Sequence, residues 1–147
     1  MFLHAFYTWL LANLLHPLML AAGISITTGN VHFSLTGETI SNLFEFLFYS
    51  MLFSLPCLLL GWLFLGIIVF SSYPGPVKFI LWFLVTALVI FLEVFTILYL
   101  SQEEIEWELL LFAIPATGAT WVAIALRWNQ FKNLIIQQTK NYEDDLV

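Results

Sequence analysis

Apolar positions in this chain run in four long blocks, separated by short polar or proline-glycine breaks. They cover roughly His4 to Ile24, Leu43 to Phe70, Val77 to Leu100 and Glu103 to Arg127, the last being apolar from Leu109 to Leu126. A helix needs about 20 mostly apolar residues to cross a bilayer. The pattern therefore predicts an all-α polytopic membrane protein: one domain over 1–147, with four transmembrane helices in an antiparallel bundle.

The breaks refine this. Ser25 to Ser41 is the longest polar connection, and Val31, Phe33 and Leu35 alternate there with His32, Ser34 and Thr36. That period of two suits a short extended segment. Asn42 with Glu45, and Ser101 with Glu104, match capping boxes and predict helix starts at those points. Leu43 to Phe70 would be ~42 Å long as a straight helix against a hydrocarbon core of ~30 Å, so it must tilt, bend at Pro56 or begin in the interfacial layer. Pro74-Gly75-Pro76 ends one helix and starts the next, making spans two and three a hairpin. Beyond Arg127, Phe131, Leu134 and Ile135 recur at helical spacing among polar residues. This predicts that the helix continues over 128–140 as an amphipathic extension, followed by a short acidic tail.

Composition makes lipid the expected solvent. Of 147 residues 61% are hydrophobic and 10% charged, against about 45–50% and ~25% in soluble domains. Lys78, Arg127, Lys132 and Lys140 are the only Lys and Arg residues, and four spans put all of them on one side. The positive-inside rule makes that side, and both termini, cytoplasmic. The expected setting is a bacterial inner (plasma) membrane. Residues 1–25 lack the early cation and short core of a signal peptide, so they are expected to stay as the first helix. Four basic residues offer no patch for phosphates, which argues against nucleic acid. The single Cys57 excludes an intramolecular disulfide and cysteine clusters.

Ionisable residues inside spans are the candidates for chemistry. Glu93 in span three and His16 in span one lie at similar depth below the outer helix ends, within ~10–12 Å by helix rise. The expectation is an intramembrane polar layer of Asn13, His16, Glu93 and Thr96 with Thr117 and Thr120, centred on a His16–Glu93 pair. Such a layer can fasten helices, relay protons, bind an ion or gate a pore. Ser50, Ser54, Cys57 and Gly61 make one small-residue stripe, and Ala113, Ala116 and Ala123 make another. Small faces let helix backbones approach closely in lipid. Glu103, Glu104, Glu106 and Glu108 form an outer acidic cluster, either a solvated helix start or a cation-attracting vestibule.

No metal site, cofactor site or catalytic group is expected. His4, His16 and His32 fall at three different levels, and Ser50 and Ser54 lack a base apart from a reach to His16. The functional expectation is a small non-enzymatic integral membrane subunit, acting as a homo-oligomer or as an accessory of a larger membrane complex. The small-residue faces and the amphipathic extension would supply contacts to other membrane subunits. The alternative is a small ion or proton channel, or a membrane-permeabilising effector, that uses the Glu93–His16 layer.

Overall fold

The computed structural model describes residues 1–28, 37–100 and 113–144, with side chains over 1–22, 44–100 and 113–138. Six α-helices make up this part, and no strand occurs among the described residues. They are α1 (Phe2–Thr28), α2 (Gly37–Phe53), α3 (Leu55–Phe70), α4 (Gly75–Leu100), α5 (Ala113–Leu126) and α6 (Trp128–Asp144). Residues 31–36, with their alternating pattern, and the second capping box at Ser101 lie outside the described residues, as does the acidic cluster Glu103–Glu108.

Two helices are long and apolar enough to cross a membrane, α1 over Phe2–Ala22 and α4 over Gly75–Leu100. A third candidate is the bent pair Phe44–Phe53 and Leu55–Phe70, which meet at 49°. The described part of the fourth, α5, has 14 residues. That is ~21 Å of helix, short of a ~30 Å hydrocarbon core.

Three boundaries differ from the sequence expectation. Helix α1 runs on to Thr28, through the stretch read as loop. Helix α2 begins at Gly37, so Asn42 lies inside it and is not its cap. Nothing between Gly37 and Asn42 stops a helix, since no proline falls there. The long second apolar run is not one rod. It breaks at Ser54, with Pro56 in the first turn of α3.

The rods pack as a ring. Helix α1 lies against α5, α2 and α3, and α4 lies against α3 and α5. The pair α1–α4 is not among the main contacts, so these two helices face each other across the diagonal. Neighbours run antiparallel. Trp9 bonds to Ser54 while Phe2 meets Trp62, Cys57 bonds to Glu93 while Lys78 bonds to Val69, and Trp121 bonds to Phe83 while Trp128 packs on Phe79.

The broadest contact is α1 on α5. Ala5 and Ala12 on α1, and Ala113, Ala119 and Ala123 on α5, are all buried. Small side chains on both partners let the two backbones approach, and dispersion across that seam replaces lipid contact. The second small-residue stripe is therefore consumed inside the chain.

The ends of α1, α3, α4 and α5 that meet α6 are closed by polar and aromatic contacts. Lys78 is buried and donates to Val69 O at 2.7 Å, and Ser71 Oγ donates to Ile68 O at 2.6 Å. Together they satisfy carbonyls that the end of α3 leaves open, and the ammonium sits at the negative pole of that helix. Arg127 covers the Tyr7 ring at 5.3 Å. Helix α6 does not continue α5 but starts anew after a turn at Arg127 and packs on α3. Phe131 is fully buried beside Phe79 and His4, and Leu134 and Ile135 pack against the same core. The apolar face read as a docking surface is thus spent on the bundle itself.

Outward positions are apolar too. On α4, Trp82, Thr86, Val89 and Ile90 point inward, whereas Leu84, Leu88, Phe91, Leu92 and Phe95 are exposed. A helix apolar all round belongs in a low-dielectric surrounding.

The α1–α5 seam makes a local prediction. Ala119→Leu forces a larger side chain into a fully buried site and should destabilise the chain by ~1–3 kcal/mol. Its neighbour Gly118 has nothing within 4 Å of an added Cβ. Gly118→Ala should therefore be neutral or stabilising by up to ~1 kcal/mol. Detergent-mediated unfolding followed by circular dichroism measures both.

Candidate functional site

The site begins with the stripe Ser50, Ser54, Cys57 and Gly61. It crosses the break between α2 and α3, and a bend changes which neighbour each residue meets. Ser54 has φ −85° and ψ 6°, in the sparsely populated bridge region, and its side chain caps no helix amide. Its hydroxyl and carbonyl both meet α1, the carbonyl while also accepting from Leu58 N of α3. Trp9 Nε1 lies 2.9 Å from Ser54 Oγ and 3.0 Å from Ser54 O.

Asn13, one turn along α1 from Trp9, is the hub. Its Nδ2 donates to Trp9 O at 3.0 Å. Its Oδ1 accepts from Ser50 Oγ at 2.8 Å and from Ser54 Oγ at 3.2 Å. An amide oxygen has two lone pairs, and both are used. His16 Nδ1 lies 3.5 Å from Ser50 Oγ. Because the Ser50 proton goes to Asn13, Nδ1 can approach Ser50 only as a donor, and at the limiting distance. The contact is therefore not a nucleophile–base pair, which needs the hydroxyl proton aimed at the imidazole.

Across the stripe, Cys57 Sγ donates to Glu93 Oε2 at 2.6 Å. Glu93 makes no ion pair with a described residue, and its Oε1 is buried without a hydrogen-bond partner. Gly61 is buried beneath Trp82, where an added Cβ would meet Trp82 Cη2 at 3.6 Å. Alanine fits there, and a longer side chain would displace the indole.

His16 and Glu93 are therefore not a pair. Their similar depth along the bundle is no substitute for adjacency, because α1 and α4 are diagonal helices. Each has its polar contact with the α2–α3 pair instead, His16 at Ser50 and Glu93 at Cys57. The α2–α3 pair is thus the middle member of the polar layer, a role its small-residue stripe was expected to fill by packing alone.

What His16 and Glu93 do share is a cavity of about 320 Å³ inside the bundle. Of the residues singled out in the sequence, Asn13, His16, Glu93, Thr120, Ser50, Ser54, Cys57 and Ala116 line it. Thr96 does not: it is exposed and donates to Leu92 O at 2.7 Å. Thr117 is buried beside the cavity lining on α5, and its Oγ1 has no partner. Ala113 and Ala123 are fully buried on α5 and do not line the cavity.

Several cavity residues escaped the sequence reading. Trp9 sits four residues before Asn13 and so on its face, a signal that was available. Trp82 lies on the inward face of α4 with Glu93 and with Thr86, which its spacing of seven residues from Glu93 already places on the same stripe. Tyr49 and Phe53 line the cavity yet remain exposed, which periodicity cannot reveal. Among the described residues no three His, Cys, Asp or Glu side chains converge to hold a metal ion.

Coupling measurements separate the two arrangements. A double-mutant cycle of Asn13→Ala with Ser50→Ala should give an interaction energy of about 0.6 kcal/mol, and no more than ~1.7. A cycle of His16→Ala with Glu93→Gln should give a value near zero, whereas a direct pair would give one as large as the first.

No protein-family model matches this chain, and neither does any curated protein or solved structure, so the cavity and the helices that frame it are what points to a function.

Proposed function

We propose that this chain is a small non-enzymatic integral membrane subunit that works by binding at its interior cavity, as a homo-oligomer or as an accessory component of a larger membrane complex. Four rods cross the bilayer in this reading: α1, the bent α2–α3 pair, α4, and a fourth span ending in α5. Both termini lie on the cytoplasmic side, in a plasma membrane of bacterial type. The observation that carries the reading is the inversion of polarity between inside and outside. Asn13, His16, Ser50, Ser54 and Glu93 line an interior cavity, while leucines and aromatic rings cover the outer faces. In water this arrangement would be inside out, and in lipid it is the economical one.

The charge pattern supports the orientation. Lys78 and Arg127 lie at the same end of the bundle as the start of α1, joined through Val69, Tyr7 and Phe131. Contacts with partner subunits fall to the outer apolar faces, since both small-residue stripes are used within the chain.

A small ion or proton channel is the second reading. The observation that favours it is that His16 and Glu93, the two titratable groups of the layer, line one cavity. Against it, that cavity is walled mostly by apolar and aromatic side chains and presents no ring of charges to a hydrated ion.

Two measurements test these readings. In a Cys57→Ser background, cysteines introduced one at a time at Ser72 and Gln130 should label from the same side of the membrane, and one at His32 from the opposite side. Labelling of Ser72 and Gln130 from opposite sides would rule out the four-span topology. In proteoliposomes the subunit reading expects no ion flux from the wild-type chain. Flux that Glu93→Gln abolishes without loosening the fold would establish the channel instead.

A further inference from the structure

We propose that the interior cavity binds a lipophilic organic cation, an amphipathic amine or a quaternary ammonium or phosphonium ion, with the Glu93 carboxylate as its counter-ion. The inference deepens the binding role proposed above and rests on it.

Charge complementarity is the first support. The titratable groups that face the cavity are His16 from α1, Tyr49 from α2, Cys57 from α3 and Glu93 from α4, while α5 contributes Ala116 and Thr120. No Lys or Arg lines it. Glu93 is thus an acid with a thiol for its only described polar partner and one oxygen unengaged. An uncompensated carboxylate in an apolar wall is costly, and a cation that brings its own apolar skin removes that cost without needing a hydration shell.

The walls select the kind of cation. Trp9, Phe46, Tyr49, Phe53 and Trp82 surround the polar row from three sides of the bundle. Aromatic faces attract a diffuse positive charge and also bury its hydrocarbon substituents. A hard metal ion would demand six or more oxygen ligands; the cavity offers one carboxylate, its Asn13 amide oxygen is already taken by Ser50 and Ser54, and no three His, Cys, Asp or Glu side chains converge among the described residues. A volume of about 320 Å³ falls in the range of small-molecule pockets, ~300–1,000 Å³.

The entrance follows from the fold. Phe46, Tyr49, Phe53 and Ile97 line the cavity and are also exposed, so the cavity opens where α2 faces the second half of α4. The 49° bend leans α2 out of line with α3, and the principal contacts of α4 are with α3 and α5. The mouth therefore opens sideways, toward lipid. A cation that partitions into the bilayer reaches Glu93 by that route.

The test uses the full chain purified in detergent, with tetraphenylphosphonium as probe, triphenylphosphine oxide as a neutral counterpart and tetraphenylborate as an anionic one. Equilibrium dialysis should show saturable binding of tetraphenylphosphonium that neither counterpart displaces. Glu93→Gln should weaken it by about tenfold or more, and Thr96→Val, outside the cavity, should leave it unchanged. A readout on the wild-type chain guards against a misfolded variant. Because Cys57 Sγ lies 2.6 Å from Glu93, bound tetraphenylphosphonium should slow maleimide alkylation of Cys57. Equal binding of the neutral compound, undiminished binding to folded Glu93→Gln, or unprotected Cys57 at saturation would each overturn the proposal. Micelles do not depend on topology, so failure here and failure of the four-span reading are distinguishable.

Discussion

Pro56 has no amide hydrogen to give to the carbonyl one turn earlier, and its ring crowds that carbonyl. Helix α1 runs unbroken through Pro17, whereas the second apolar run breaks just ahead of Pro56. The break falls at Ser54, two residues before the proline, and turns the chain by 49°. One stripe of small residues is thereby divided between two neighbours. Ser50 and Ser54 face Asn13 on α1, and Cys57 faces Glu93 on α4. Beside the bend lies the cavity, lined there with hydroxyl, amide and carboxyl groups.

Asn13 shows how such an interior holds together without ion pairs. Its carboxamide takes two hydroxyl protons and returns one hydrogen bond to its own helix. That fixes the rotation of α1 against the break, and the indole of Trp9 locks the same rotation one turn away. Single hydrogen bonds between membrane helices are worth little, averaging about 0.6 kcal/mol. Their value here is in register, since a slip of one residue on α1 would part Ser50 and Ser54 from the Asn13 amide oxygen. Apolar packing adds to this, in the broad contact of α1 with α5 and in the aromatic cluster of Phe79, Trp128 and Phe131 at one end.

Much of this was legible in the residues, and what was not has a common cause. Periodicity and breaks are local, so the hairpin at Pro74-Gly75-Pro76, the weak point at Pro56 and the amphipathic stretch after Arg127 could all be read from the chain. Asn13, His16 and Glu93 stood out because polar groups in apolar runs are costly. Ring order is not local. Depth along a helix can be counted from its ends, but whether two helices are adjacent or diagonal is decided by side-chain shape over their whole length. Hence His16 and Glu93 share a level without touching. The capping motif at Asn42 failed for a related reason. A cap is favoured where a helix must start, and the residues from Gly37 onward let this one start earlier.

The fate of the small-residue faces bears directly on function. In lipid, a stripe of serine, alanine and glycine invites another helix, and two such stripes in one short chain suggest a partner protein. Here α5 spends its stripe on α1, α2–α3 spend theirs on Asn13, Glu93 and Trp82, and α6 spends its apolar face on the end of the bundle. What is left facing outward among the described residues is largely leucine, isoleucine and aromatic side chains. The unspent groups are inside: an oxygen of Glu93, a ring nitrogen of His16 and the indole nitrogen of Trp82 are buried and lack partners, and all three residues line the cavity. Unsatisfied polar atoms cost most where the dielectric is lowest. Three further buried polar atoms without partners among the described residues, His4 Nε2, Thr117 Oγ1 and Arg127 Nε, lie outside that lining, so the cavity is where such groups gather around an open space and not the only place they occur.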